Sequence, residues 1–226
     1  MEEIVKSLSP RAEFVLVVIL AFGYLIFGSL VWAIAPGDEA PISEDGLQSL
    51  IVYEAVILGL LAWFLRLRGW TVERLTQGFF PRELWVGCGL AVVVILGWSF
   101  IDLLVEHISP NLKLAEDNAR LAAPGFTVGT VLFASGLNAL FEEIFVCGYV
   151  LTALRELKDE WYAINLSVAI RLLYHLYQGP VGIVAIIPYG LFCAIWYART
   201  RRLWPLVVAH ALLDILALLA SNSAGP

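Results

Sequence analysis

Glu142 and Glu143 stand side by side in FEEIFVCGYV, residues 141–150, a stretch otherwise built almost wholly of apolar and small residues. Two later stretches carry groups that could work with them. IRLLYHLYQGP holds Arg171 and His175 four residues apart, and VVAHALLDIL holds His210 and Asp214 at the same interval. A spacing of four puts both members of a pair on one face of a helix. Carboxylates, imidazoles and a guanidinium are the groups that general acid–base hydrolysis uses. An ionisable residue inside a membrane helix costs about 2.5–3.5 kcal/mol on insertion scales, so the default reading is a functional site with named partners.

The elements that must position these groups are membrane helices. Of the 226 residues 60% are hydrophobic and 15% charged, and the mean hydropathy is +0.83. That is well above a soluble domain, which runs nearer half apolar. Crossing the hydrocarbon core takes about 20 mostly apolar residues. Seven such spans are expected, at 13–35, 47–65, 84–107, 126–154, 160–178, 180–198 and 203–221. The fold class is therefore all-α, a polytopic membrane protein of about seven transmembrane helices with the site on the last four. Residues 1–125 form an N-terminal three-helix region and 126–226 the catalytic helix core, within one membrane domain. Ala33-Ile34-Ala35 resembles a cleavage site, but the preceding apolar run exceeds the 7–15 residues of a signal-peptide core.

With the N-terminus in the cytoplasm, eleven basic residues fall inside: Lys6, Arg11, Arg66, Arg68, Arg74, Arg82, Arg155, Lys158, Arg199, Arg201 and Arg202. Only Lys113 and Arg120 fall outside, and the acidic loop with Asp38, Glu39, Glu44 and Asp45 faces outward. This asymmetry gives an N-in, C-out orientation. At 1.5 Å per helical residue, Glu142 lies about 20 Å in from Arg155 and His175 about 21 Å in from Trp161. Asp214 and His210 lie about 18 and 12 Å in from Arg202, so the four can share one layer. Glu54 and Asp102 are isolated and read as interhelical hydrogen-bonding or cavity-lining groups, and His107 as a packing residue. Cys88, Cys147 and Cys193 have neither disulfide nor zinc-finger spacing. No nucleotide-binding motif is present and no nucleic-acid partner is expected.

The ordered set Glu142-Glu143, His175 in YHLYQG, and His210 with Asp214 in AHALLD resembles the CPBP (Abi) family of intramembrane proteases, which includes the type II CAAX prenyl endopeptidases. That family's motifs are written EExxxR, FxxxH and HxxxN or HxxxD. The resemblance implies an endopeptidase whose site opens toward the cytoplasm and lies near that membrane face. It also implies Glu142, His175, His210 and Asp214 as catalytic residues, with Glu143 and Arg171 in support. Glu142 would draw a proton from the attacking water, His175 would hold that water, and His210 would donate to the oxyanion.

The match departs at Cys147, where the family has Arg, and at Arg171, where it has Phe, and its third motif ends in Asp214 rather than Asn. The first two are linked: each is one turn toward the cytoplasm from a motif residue, so the guanidinium has moved to the facing helix, where its fork can hold Glu143. A zinc ion on Glu142, His175 and His210 stays open beside metal-free chemistry, although no HExxH helix is present. Expected partners are membrane lipid and a protein or peptide substrate, itself membrane-associated in one reading. The expected location is a bacterial or archaeal cell membrane. Two other readings are a catalytically silent scaffold or immunity factor, favoured by the loss of Arg at 147, and a proton-coupled transporter.

Overall fold

A computed structural model describes residues 7–37, 40–109, 121–155 and 157–223. Lys6, Asp38, Glu39, Lys113 and Arg120, counted above for orientation, lie outside the described residues. The chain is an integral membrane protein built from helices: α1 (Pro10–Ile34), α2 (Glu44–Leu67), the short α3 (Val72–Thr76), α4 (Arg82–Ile108), α5 (Val128–Glu142), α6 (Val150–Arg155), α7 (Glu160–Tyr174), α8 (Gly179–Thr200) and α9 (Trp204–Ser223). Side-chain oxygens of Ser9, Ser43, Thr127 and Asp159 cap α1, α2, α5 and α7, meeting amides that their first turns leave free. A π-helical turn, Glu143–Tyr149, joins α5 to α6 in one continuous rod.

Among the described residues six helices are long and apolar enough to cross a membrane, with α5, the π turn and α6 counted as one. The seventh pass differs from the expected span 160–178. α7 stops at Tyr174, so its 15 residues reach only about 22 Å. A 3-10 turn, Leu176–Gln178, follows it, and Gly179 at φ 67° reverses the chain into α8. That backbone angle suits glycine, and Pro180 then fits the first turn of α8. Irregular backbone at membrane depth is tolerated where it lines a cavity, which this turn does.

The two ends of the bundle are built differently. At one end, Glu13 of α1 accepts from Arg68 (2.6 Å), Trp70 (2.8 Å) and Tyr149 (3.1 Å). Arg202 binds Glu83 of α4 there, and Tyr197 reaches the Leu75 carbonyl. Phe145, Tyr149, Val150, Tyr197, Leu203 and Leu206 are all buried and fill the half of the bundle next to that end. At the opposite end Ile42 and Ala122 form a single β-bridge between two loops. Asn222 of α9 ties onto the backbone of Gly125 and Phe126 just before α5, and Glu44 takes the Thr130 hydroxyl at 2.6 Å.

α4 and α9 approach closely because Gly87 has no side chain. A Cβ there would stand 2.5 Å from Val208 Cβ and 2.9 Å from the Pro205 carbonyl oxygen. This contact fixes the helix that carries His210 and Asp214 against α4.

Candidate active site

Glu142 closes α5 and Glu143 opens the π turn, so the two carboxylates emerge where the helix widens. π turns are rare and are often found at functional sites. Here the widened turn is held by outside donors. Ser167 donates to the Val146 carbonyl at 2.8 Å, and Thr152 donates to the Gly148 carbonyl at 2.5 Å.

Arg171 of α7 is the group between the carboxylates. Its Nη2 lies 2.7 Å from Glu143 Oε1 and its Nη1 lies 3.3 Å from Glu142 Oε2. The same Nη2 is 4.0 Å from Cys147 Sγ, so positions 147 and 171 do face each other across the two helices. Arg171 is 1% exposed, and its guanidinium sits 5.1 Å from the Tyr189 ring centre. Gly190 leaves room for its stem, since a Cβ there would meet Arg171 Cδ at 3.4 Å.

The imidazoles are held by different partners. His175 is the residue that ends α7, and its Nδ1 lies 2.9 Å from the Arg171 carbonyl. A carbonyl can only accept, so Nδ1 carries the proton and Nε2 of the neutral ring is left as an acceptor. The four-residue spacing thus makes a ring-to-backbone bond where α7 ends, rather than a continued helix face. His210 Nδ1 lies 2.9 Å from Glu143 Oε1, and its Nε2 faces Asp214 Oδ2 at 3.6 Å. The second distance is longer than a hydrogen bond.

Two further side chains belong to this constellation and were not singled out from the sequence. Tyr174 donates its hydroxyl to Glu142 Oε2 at 2.6 Å, and Asn138 donates to Asp214 Oδ2 at 3.1 Å. Each had a local signal. Tyr174 adjoins His175, and Asn138 lies one helical turn before Glu142 on the same face.

Glu142, Arg171, Tyr174, His175, His210 and Asp214 all line one chamber of about 670 Å³. Asp102 lines it as well, whereas Glu54 does not, and neither oxygen of Glu54 has a hydrogen-bond partner among the described residues. The chamber runs from the carboxylate layer to Trp32, Ile42 and Ala122, at the end of the bundle opposite Arg68 and Arg202. The chamber therefore lies in the half of the bundle away from the described basic residues. The helix directions carry the chamber away from the basic loops.

The donor set for zinc is not assembled. No three His, Cys, Asp or Glu side chains group as metal ligands among the described residues. A guanidinium stands beside both glutamates, and its fixed positive charge opposes a cation there. As arranged, Glu142, His175 and His210 do not fit a zinc site, and no step is derived through one.

Residues 124–216 match the family model described as Type II CAAX prenyl endopeptidase Rce1-like. No curated protein and no solved structure matches the chain. The matched segment runs from just before α5 into α9 and holds Glu142, Glu143, Arg171, His175, His210 and Asp214. The match falls on the segment that carries the three motifs and agrees with the family of CAAX-type intramembrane proteases that they resemble.

Proposed function

We propose that the protein hydrolyses peptide bonds inside the membrane chamber, with a water activated by Glu142 and without a resident metal. The observation that carries this reading is the convergence of Glu142, His175 and His210 on one chamber in the matched segment. Glu142 Oε2 is held by Tyr174 and Arg171, which leaves its other oxygen for a water. His175, with Nδ1 bound to a carbonyl, offers Nε2 as a second acceptor for that water.

The attack forms a bond from the water oxygen to the scissile carbonyl carbon as the water proton passes to Glu142. The carbonyl oxygen then carries the developing charge, and preorganised donors are usually the largest catalytic contribution to such a step. With both nitrogens protonated, His210 would donate Nδ1–H to Glu143 and present Nε2–H to the chamber. Asp214, steadied by Asn138, would orient that edge of the ring. Collapse of the intermediate breaks the C–N bond, and Glu142 returns its proton to the leaving amine.

The test is cleavage of a peptide library by the purified full chain in nanodiscs. Glu142→Gln, His175→Ala and His210→Ala should each lower turnover by about 10²–10⁴-fold, the range for a general acid or base. Full turnover in Glu142→Gln would reject the assigned base. Stoichiometric zinc in the active protein, lost on chelation together with activity, would reject the metal-free reading.

A further inference from the structure

The end of the bundle held by Glu13 and Glu83 carries more cationic charge than its carboxylates neutralise. We propose that this face binds the phosphate headgroup of an anionic phospholipid, whose chains lie along the exposed aromatic residues leading into α4. Neither the patch nor its guest depends on the peptidase reading above.

The stretches 66–83 and 199–202 hold seven arginines and two glutamates, Glu73 and Glu83. From outside those stretches Glu13 takes up Arg68, and Glu160 approaches Arg199 at 3.8 Å. Glu83 is buried and shared: Arg202 binds one of its oxygens at 3.0 Å and Arg82 the other at 3.3 Å. One negative charge thus serves two guanidiniums, and the Arg82 side chain stays 72% exposed. Arg201 has no carboxylate partner among the described residues. It lies over the Tyr197 ring and reaches the Arg74 carbonyl at 3.4 Å. Arg82, Glu83, Arg202, Arg201 and Arg74 therefore form one connected patch with a positive surplus. Guanidinium forks bind phosphate oxygens by paired hydrogen bonds.

Arg201 ends α8 in the left-handed region, at φ 59°. Glycine is the usual residue at such a helix end, because it meets no Cβ penalty there. An arginine in that place gives up backbone ease for a side chain.

The apolar half of the site adjoins these charges. Phe79 and Phe80 are half exposed, and Trp85, in the first turn of α4, is 80% exposed. The Arg82 guanidinium stands 5.2 Å from the Phe80 ring centre, and Phe79 packs edge-on against Trp204 of α9. Arginines beside aromatic rings where a helix enters the membrane suit the level of phosphate and glycerol. Basic clusters at that level recognise anionic lipid. Behind the patch, α3 rests on the π turn. Tyr197 Oη lies 2.8 Å from the Leu75 carbonyl and 3.4 Å from the Gly148 carbonyl, and a Cβ on Gly148 would stand 3.7 Å from Leu75 Cβ. A headgroup held by Arg201 would therefore brace the turn that opens with Glu143.

The experiment titrates the full chain, purified in a neutral detergent, with short-chain phosphatidylglycerol or phosphatidylcholine and counts bound lipid by native mass spectrometry. Each arginine is worth about fivefold in affinity for anionic lipid, so phosphatidylglycerol should bind about tenfold or more tighter than phosphatidylcholine. Arg82→Gln with Arg201→Gly should remove most of that preference and leave phosphatidylcholine binding unchanged. Arg155→Gln, at a residue paired with Glu160, should keep it. Without lipid, Arg201→Gly should be at least as stable as the wild type, because glycine suits its backbone. Phosphatidylglycerol should raise the melting temperature of the wild type and not of the double variant. Equal binding of the two lipids would overturn the proposal, as would a preference or a melting shift that survives the double variant. Glycerol 3-phosphate competing as well as the lipid would also overturn it, by revealing a free-phosphate site that needs no chains.

Discussion

Arg171 holds two carboxylates, faces a thiol at the position where the resembled family's motif has Arg, and rests against Tyr189. Removing one partner of a buried ion pair costs about 3–5 kcal/mol because the other charge stays behind. Arg171→Leu should lower thermal stability by an amount of that order and abolish cleavage. The double variant Arg171→Phe with Cys147→Arg returns the guanidinium to the helix of Glu143 and should recover much of the lost stability. A double variant no more stable than Arg171→Phe alone would mean that positions 147 and 171 do not share a partner. The four-residue spacings and the linked departures at 147 and 171 made these side chains legible, because helix periodicity fixes which of them face one another. Tyr174 and Asn138 were harder to find. A tyrosine or an asparagine in a membrane helix is usually a packing or hydrogen-bonding residue, so their places beside His175 and one turn before Glu142 became decisive only with the carboxylate oxygens they bind.

At the scale of elements, long apolar runs fix where helices lie, and the spans read from the sequence fall within a few residues of the helices. The local backbone departures were not legible. Nothing in the composition of EIFVCGY separates a π turn from an α turn, since the widening is held by Ser167 and Thr152 from outside that stretch. The early end of α7 likewise depends on Gly179 and on Tyr177, whose amide donates to Ser29 of α1 at 2.9 Å. The α4–α9 contact gives the prediction at this scale. Gly87→Leu must push against Val208 and the Pro205 carbonyl, and overpacking of this kind costs about 1–3 kcal/mol. It should lower the melting temperature and weaken cleavage together, as α9 and its His210 are displaced. Gly89→Leu, two residues on and facing open space, should do neither.

For the molecule as a whole, the bundle is sealed on one side and hollow on the other. The half toward the basic end is packed with buried aromatic and aliphatic side chains, while the other half holds the chamber. A membrane voltage falls mainly across the poorly conducting part of its path, which here is the packed half. An aqueous chamber would carry the potential of the solution it faces down to the carboxylate layer. A proton moving between chamber water and Glu142 would then cross little of the field. A unit charge crossing all of it would feel about 2.3 kcal/mol per 100 mV, or roughly 50-fold in rate. In proteoliposomes with an imposed potassium diffusion potential, turnover should change by much less than that. Its acidity profile should follow the compartment facing the chamber and ignore the other. Electrically, the carboxylate layer would sit at the surface the chamber faces, although it lies deep within the membrane.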